Sequence, residues 1–222
     1  MYNGYMKYFI FSIDDGTIYD QKVIEIFNKY HISATFNLNS GLQDFIWYKD
    51  DKPVKRLSLL KNKDLYKGHE VASHSLTHPH MTMCPDEVLY KEVKEDINNL
   101  ESIFNKKVST FAFPFHDFDE RCINFIKDNC GVSCIRVSEI DRSYNFPIDQ
   151  YHIKMTSINV KEALSMIDDF INSNGSLFVF VSHSYDFEFD NTYDELEKLC
   201  QKVKQCKDIK VITMSELPNI MK

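Results

Sequence analysis

No apolar run in this 222-residue chain approaches the ~20 residues that a membrane-spanning helix needs, so insertion into a bilayer as a helix is not expected. The one short apolar run near the start, Tyr8 to Ile13, goes straight into two aspartates without a small-residue cleavage site. It is expected to be a buried first strand, not a signal peptide. No Lys/Arg block stands out, and 33 acidic against 26 basic side chains give a formal charge of -7, which argues against a nucleic-acid partner. The six cysteines (Cys84, Cys122, Cys130, Cys134, Cys200 and Cys206) form no C-x-x-C pair and no dense disulfide framework. They read as reduced structural thiols in a cytoplasmic protein. Internal repeats and low-complexity linkers are also lacking, and the length suits one α/β domain over residues 1–222. What the chain does have is apolar material: 43% hydrophobic and 14% aromatic residues, enough to fill a barrel and line a pocket.

Short β-rich runs alternate with segments of helical period, the pattern of repeated βα units around a parallel sheet. Strands are expected at Lys7–Ile13, Ser33–Leu38, Glu70–Ser73, Thr110–Phe113, Val132–Arg136, Tyr151–Ser157, Leu177–Ser182 and Ile209–Thr213. The clearest helix follows Cys84-Pro85-Asp86 and carries Leu89, Val93, Ile97, Leu100 and Phe104 on one stripe. Others are expected at Asp20–Tyr30, Asp119–Asp128, Lys161–Ile171 and Thr192–Lys204. The order indicates an α/β barrel of seven to eight βα units. Ser40–Lys61, which holds the single tryptophan Trp47, and Ser138–Gln150 read as surface excursions.

In parallel α/β proteins the chemistry gathers beyond the carboxyl ends of the strands, and four such ends are loaded here. The first strand finishes in Asp14-Asp15-Gly16, whose neighbouring carboxylates leave the strand in different directions, one suited to a cation and the other to a substrate. An isolated Asp-Asp-Gly is more often an Asx turn or a helix cap. The third strand is followed by His74-Ser75-Leu76-Thr77-His78-Pro79-His80, and histidines four apart meet on one side of a helical turn, where they can share a metal. His80 competes for the pairing, and such pairs are often metal-free. Phe111 to Asp117 is an aromatic turn able to wall a sugar-sized pocket. An apolar strand, Leu177 to Ser182, delivers His183 to the barrel mouth, although a structural histidine is also compatible.

Together these features resemble the polysaccharide deacetylases, the carbohydrate esterases with a NodB homology domain. Their Thr-Phe-Asp-Asp-Gly motif is similar to Ser12-Ile13-Asp14-Asp15-Gly16, and His-Ser/Thr-x-x-His is matched by His74-Ser75-Leu76-Thr77-His78 followed by Pro79. Phe111–Phe115 and Leu177–His183 resemble two further motifs, and Ala34-Thr35-Phe36 and Met214-Ser215-Glu216-Leu217 are also family-like. The matches come in family order and span residues 8 to 218.

The resemblance implies a distorted, often incomplete βα barrel. It implies that Asp15, His74 and His78 bind a divalent ion, zinc first, with cobalt, nickel, manganese or iron(II) as alternatives. It further implies Asp14 as general base, His183 as general acid and the Phe115 backbone N–H as an oxyanion donor. Phe113, Pro114, Phe115 and Tyr185 are the expected substrate contacts. Two departures stand out. The motif arginine two residues before the proline is replaced by Ala112, for which Arg136 is the candidate substitute, a surface ion pair being the competing reading. The Asp-Trp pair that braces the acid histidine is missing, since Trp47 lies in another part of the chain. The expected activity is removal of an N-acetyl group from an intracellular saccharide or glycan precursor, with no nucleic acid or membrane involved. The alternatives are hydrolysis of a small non-sugar amide or an inactive metal- or glycan-binding homologue.

Overall fold

Alternation of side chains along the first strand organises the whole molecule. In β1 (Lys7–Asp14), Phe9, Phe11 and Ile13 point to one face while Ile10, Ser12 and Asp14 point to the other, and all six are buried. The outer set joins the main core, with Phe11 5.1 Å from Phe27 between ring centroids and Phe9 stacked on Phe178 at 4.8 Å. Truncating such a ring to alanine costs about 3–5 kcal/mol. The inner set faces a smaller core inside the barrel, where Ile10 meets Cys134, Ile153, Met155, Val179 and Met214.

The computed structural model describes residues 6–222. After β1 come α1 (Asp20–Lys29), β2 (Thr35–Leu38), β3 (Ile46–Lys49), β4 (Lys52–Lys55), α2 (Leu59–Asn62) and β5 (Glu70–Ser73). Then follow α3 (Asp86–Phe104), β6 (Thr110–Ala112), α4 (Glu120–Asn129), β7 (Cys134–Ile140), β8 (Ile153–Met155) and α5 (Val160–Asn172). The chain closes with β9 (Leu177–His183), α6 (Ser184–Phe189), α7 (Tyr193–Gln205), β10 (Ile209–Val211) and α8 (Leu217–Ile220). Capping agrees with the sequence: Asn159 accepts from the N–H groups of Lys161 and Glu162 at the start of α5, and Asn105 takes the left-handed conformation that ends α3.

All pairings in the main sheet are parallel, in the order β10-β1-β2-β5-β6-β7-β8, with β9 on the other side of β1. A lone bridge between Ser157 and Phe180 joins the β8 side to β9 and brings the sheet close to a closed ring. The fold is a distorted βα barrel with one thin seam. Its register places the site, because Asp14 sits opposite Asn37 of β2 on one side and His183 of β9 on the other. Among the described residues no helix is long and apolar enough to cross a membrane.

All eight expected strands and all five expected helices are present, Glu70–Ser73 with its expected bounds and the others with shifted ends; β7, for example, runs on to Ile140. Three local expectations fail. Ser40–Lys61 is not a plain surface excursion: β3 and β4 form an antiparallel hairpin, Val54 is buried, and Arg56 is buried at the site. Ser138–Gln150 is partly strand, and Tyr144 inserts against Phe170 and Phe178. The segment carrying His74 and His78 is an irregular loop instead of a helical turn, with Ser75 at φ 66° and His78 at φ 57°.

Candidate active site and metal centre

Asp14 leaves β1 into the barrel interior, where both its oxygens are occupied. Asn37 Nδ2 donates to Oδ1 and Arg136 Nη2 to Oδ2, each at 2.6 Å. Arg136 is 1% exposed, so it is a buried partner of Asp14 and not a surface ion pair. Asp15 then turns the chain at φ 83°, followed by Gly16 at φ 66°, and the two carboxylates flank one imidazole, with His74 Nε2 3.9 Å from Asp14 Oδ2 and 4.0 Å from Asp15 Oδ1. Arg56 Nη2 donates to Asp15 Oδ1 at 3.0 Å. A second nitrogen of Arg56 donates to the Asp15 carbonyl and to Asn39 Oδ1.

The histidine loop gains its shape from side chains on α3. Glu92 accepts from Thr77 N at 2.8 Å and Thr77 Oγ1 at 2.7 Å, while Asp96 accepts from Ser73 Oγ and Ser40 N. Asn39 Nδ2 donates to the carbonyls of His74 and Ser75. Gly41 packs so tightly here that a Cβ would lie 2.6 Å from the Leu76 carbonyl oxygen, which only glycine allows.

His74 Nδ1 lies 2.8 Å from the Ala112 carbonyl, which can only accept, so Nδ1 carries the proton and Nε2 presents its lone pair. That Nε2 is 4.0 Å from Asp15 Oδ1, and His78 Nε2 is 3.5 Å from the same oxygen. Ligand atoms of Asp15, His74 and His78 all lie within 4.8 Å of one another. Burial pushes both imidazoles toward the neutral form, which is the ligating one. Burial alone would raise the Asp15 pKa, but Arg56, His183, His74 and His78 outweigh it and hold the carboxyl below its ordinary value. One anionic oxygen and two neutral imidazole nitrogens make a donor set that fits a divalent transition metal with open positions. His80 lies outside that group, stacked on Phe115 at 4.4 Å with Nδ1 3.6 Å from Asp117.

Across the mouth, His183 Nε2 is 3.9 Å from Asp15 Oδ2. Its Nδ1 is 2.9 Å from Asp186 Oδ2, and Lys49 Nζ, reaching over from β3, donates to Asp186 Oδ1 at 2.6 Å. Tyr185 stacks on the His183 ring at 4.9 Å and sets its hydroxyl 3.4 Å from Asp15 Oδ2. Trp47 meets the edge of Tyr185 at 5.7 Å, so the residue read as distant in sequence stands beside the site.

These groups surround a cavity of about 390 Å³, lined in part by Asp14, Phe113, Phe115, Arg136, His183 and Tyr185.

 The size suits one sugar unit. Phe115 is 48% exposed at the rim, whereas Pro114 is buried within the turn.

The sequence reading missed Arg56, Asn37, Asn39, Lys49 and Asp186. Asp186 had a signal, since it follows His183 by three positions at the start of a helix. Arg56 and Lys49 had none, because only the hairpin brings them to the barrel mouth.

The polysaccharide deacetylase family profile matches residues 3–132. Among solved structures, the Xyl-CE4 domain of a multidomain xylanase from the hindgut metagenome of Trinervitermes trinervoides superposes with a TM-score of 0.67 at 17% identity, covering 97% of this chain and 91% of that one. A family 4 carbohydrate esterase from Streptomyces lividans, in complex with acetate, gives 0.62 at 16% identity, covering 94% and 92%. A CE4 family pseudoenzyme from Bacillus anthracis gives 0.65 at 19% identity, covering 97% of this chain and 66% of that one. No curated protein sequence matches the chain. At these identities the structural likeness speaks for the fold, while the profile covers more than half of the sequence, and on that ground the chain belongs to the polysaccharide deacetylase family.

Proposed function

We propose that this protein is a metal-dependent hydrolase that removes an acetyl group from an N-acetylated sugar or glycan precursor. The observation that carries the reading is the convergence of Asp15, His74 and His78 beside an Asp14 carboxylate held on both oxygens. Asp15, His74 and His78 would hold the ion, with zinc the first candidate. When bound, a divalent ion there supplies Lewis acidity toward the acetamide carbonyl and lowers the pKa of water.

The remaining work falls to the chain's own residues. Asp14 takes the proton of the attacking water, and Arg136 and Asn37 fix the direction of its carboxylate. His183 donates a proton to the departing amine from Nε2, because Nδ1 is committed to Asp186. The Phe115 backbone N–H, in a turn at φ 54°, donates to the oxygen that gains charge during attack. Phe113, Phe115 and Tyr185 wall the cavity, and a saccharide is the partner.

A cytoplasmic setting is supported by six free cysteines, four of them buried. An inactive metal-binding homologue would need the ligands but not Asp14, and the two donors spent on that carboxylate favour the enzyme. The test is acetate release by the zinc-loaded protein from N-acetylated mono- and oligosaccharides, nucleotide sugars and small amides. Release from saccharides supports the proposal, release from small amides alone favours a non-sugar amidohydrolase, and binding without release favours the inactive homologue.

A further inference from the structure

The adjacent aspartates at the end of β1 each have a buried arginine of their own. Asp14 pairs with Arg136 at 2.6 Å and Asp15 with Arg56 at 3.0 Å. The second pair is unexpected, because Asp15 is also the anionic member of the metal group, and ligation does not call for a guanidinium there. Arg56 is 4% exposed and spends its two terminal nitrogens on Asp15 and Asn39. The oxygen it engages, Oδ1, is the one that stands 3.5 Å from His78 Nε2 and 4.0 Å from His74 Nε2. Guanidinium and ion therefore address the same atom.

Charge balance gives this arrangement its consequence. The Arg56 guanidinium, 3.0 Å from Asp15 Oδ1, already offsets the one carboxylate of the ligand group before an ion arrives. Without Arg56, Asp15 would be a buried carboxylate lacking its main counter-charge, which is costly. With Arg56, an incoming cation gains less Coulomb energy than it would at an anionic site.

We infer that Arg56 is the resident counter-cation of the metal centre, a positioning residue that holds Asp15 in its ligand pose in the metal-free protein and competes with the ion for Oδ1. The inference rests on the metal-site reading above. It gains a site assembled before the ion enters, at the expense of weaker ion binding. The chain also contains a reporter. Arg56 Cζ lies 4.9 Å from the ring of Trp47, the single tryptophan, so indole emission follows any loosening of the guanidinium.

The experiment titrates EDTA-stripped protein with Zn²⁺, followed by calorimetry and indole emission. Wild type should show an emission change that saturates with the calorimetric stoichiometry. Arg56→Met should bind Zn²⁺ about tenfold more tightly and lose the emission response, whereas Arg56→Lys, which keeps the charge, should stay within about threefold of wild type. Without zinc, Arg56→Met should melt at a lower temperature than wild type and gain more on zinc addition. Equal or weaker zinc binding by Arg56→Met, as expected if Arg56 merely supported a ligand, overturns the inference. If Arg56→Met does not fold, the wild type decides: zinc binding with unchanged indole emission overturns it. Failure of wild type to bind zinc or any other divalent ion sinks the metal centre itself, an outcome distinct from zinc binding that Arg56 does not weaken.

Discussion

His183 Nδ1 stands 2.9 Å from Oδ2 of Asp186, so the proposed acid finds its carboxylate partner three positions along the chain, not in a separate Asp-Trp motif. Lys49 holds the other oxygen of the same carboxylate. Burial lowers the pKa of His183, but Asp186, Asp15 and Asp14 more than offset it, and the net shift is upward.

A raised pKa keeps His183 protonated to higher pH, which extends the alkaline limb of activity. Asp186→Asn should move that limb to lower pH and reduce turnover while leaving zinc content intact, and His183→Ala should flatten it. The pH profiles of kcat for the three proteins are the measurement. An unmoved limb in both variants would assign it to another group.

The neighbouring aspartates should separate in function. Asp15→Asn is expected to lose zinc, because a neutral amide replaces the anionic ligand. Asp14→Asn should keep zinc and lose about 10²–10⁴-fold in turnover, since an amide cannot take up the water proton. Elemental analysis and acetate release on one preparation of each variant check both. Near-normal turnover in Asp14→Asn would place the base elsewhere.

Arg136→Met should destabilise the fold by about 3–5 kcal/mol by leaving the buried Asp14 without its cation. Adding Asp14→Asn should recover part of that loss without restoring turnover. A double-mutant cycle by chemical denaturation measures the coupling, and additive effects would show that the pair does not interact.

Asp20 offers a test of pH-dependent stability away from the metal ligands. It is buried at the start of α1, accepts from Ser184 Oγ and Tyr66 OH, and burial raises its pKa from 3.8 to about 7. The folded state thus retains a proton that the unfolded state releases. This contribution to stability is complete below about pH 4 and is lost as pH rises through 7. In Asp20→Asn that slope should vanish, although the lost hydrogen bond lowers absolute stability. Parallel unfolding curves of wild type and variant from pH 4 to pH 7 would refute it.

The strands, helices and metal-ligand motif were legible because each depends on short-range pattern. Periodicity of two in Phe9-Ile10-Phe11 and the stripe from Leu89 to Leu100 state which faces are buried. His74 and His78 were found by spacing, yet the reason they meet was misread, since a loop held by Asn39, Glu92 and Ser75 replaces the helical turn. Arg56 and Lys49 were not legible at all. A charged residue on a hairpin looks like any solvated lysine or arginine until the hairpin's position over the barrel is known.

The backbone at Asp15, Ser75, His78 and Phe115 occupies the left-handed region that non-glycine residues usually avoid, at φ 83°, 66°, 57° and 54°. Such conformations cost on the order of 1–3 kcal/mol each, a sum comparable to a good fraction of a domain's total stability. The consequence concerns selection for thermostability. Glycine at Asp15 or His78 would relieve the backbone and at the same stroke delete a proposed ligand, so heat resistance and the proposed metal binding pull these codons in opposite directions.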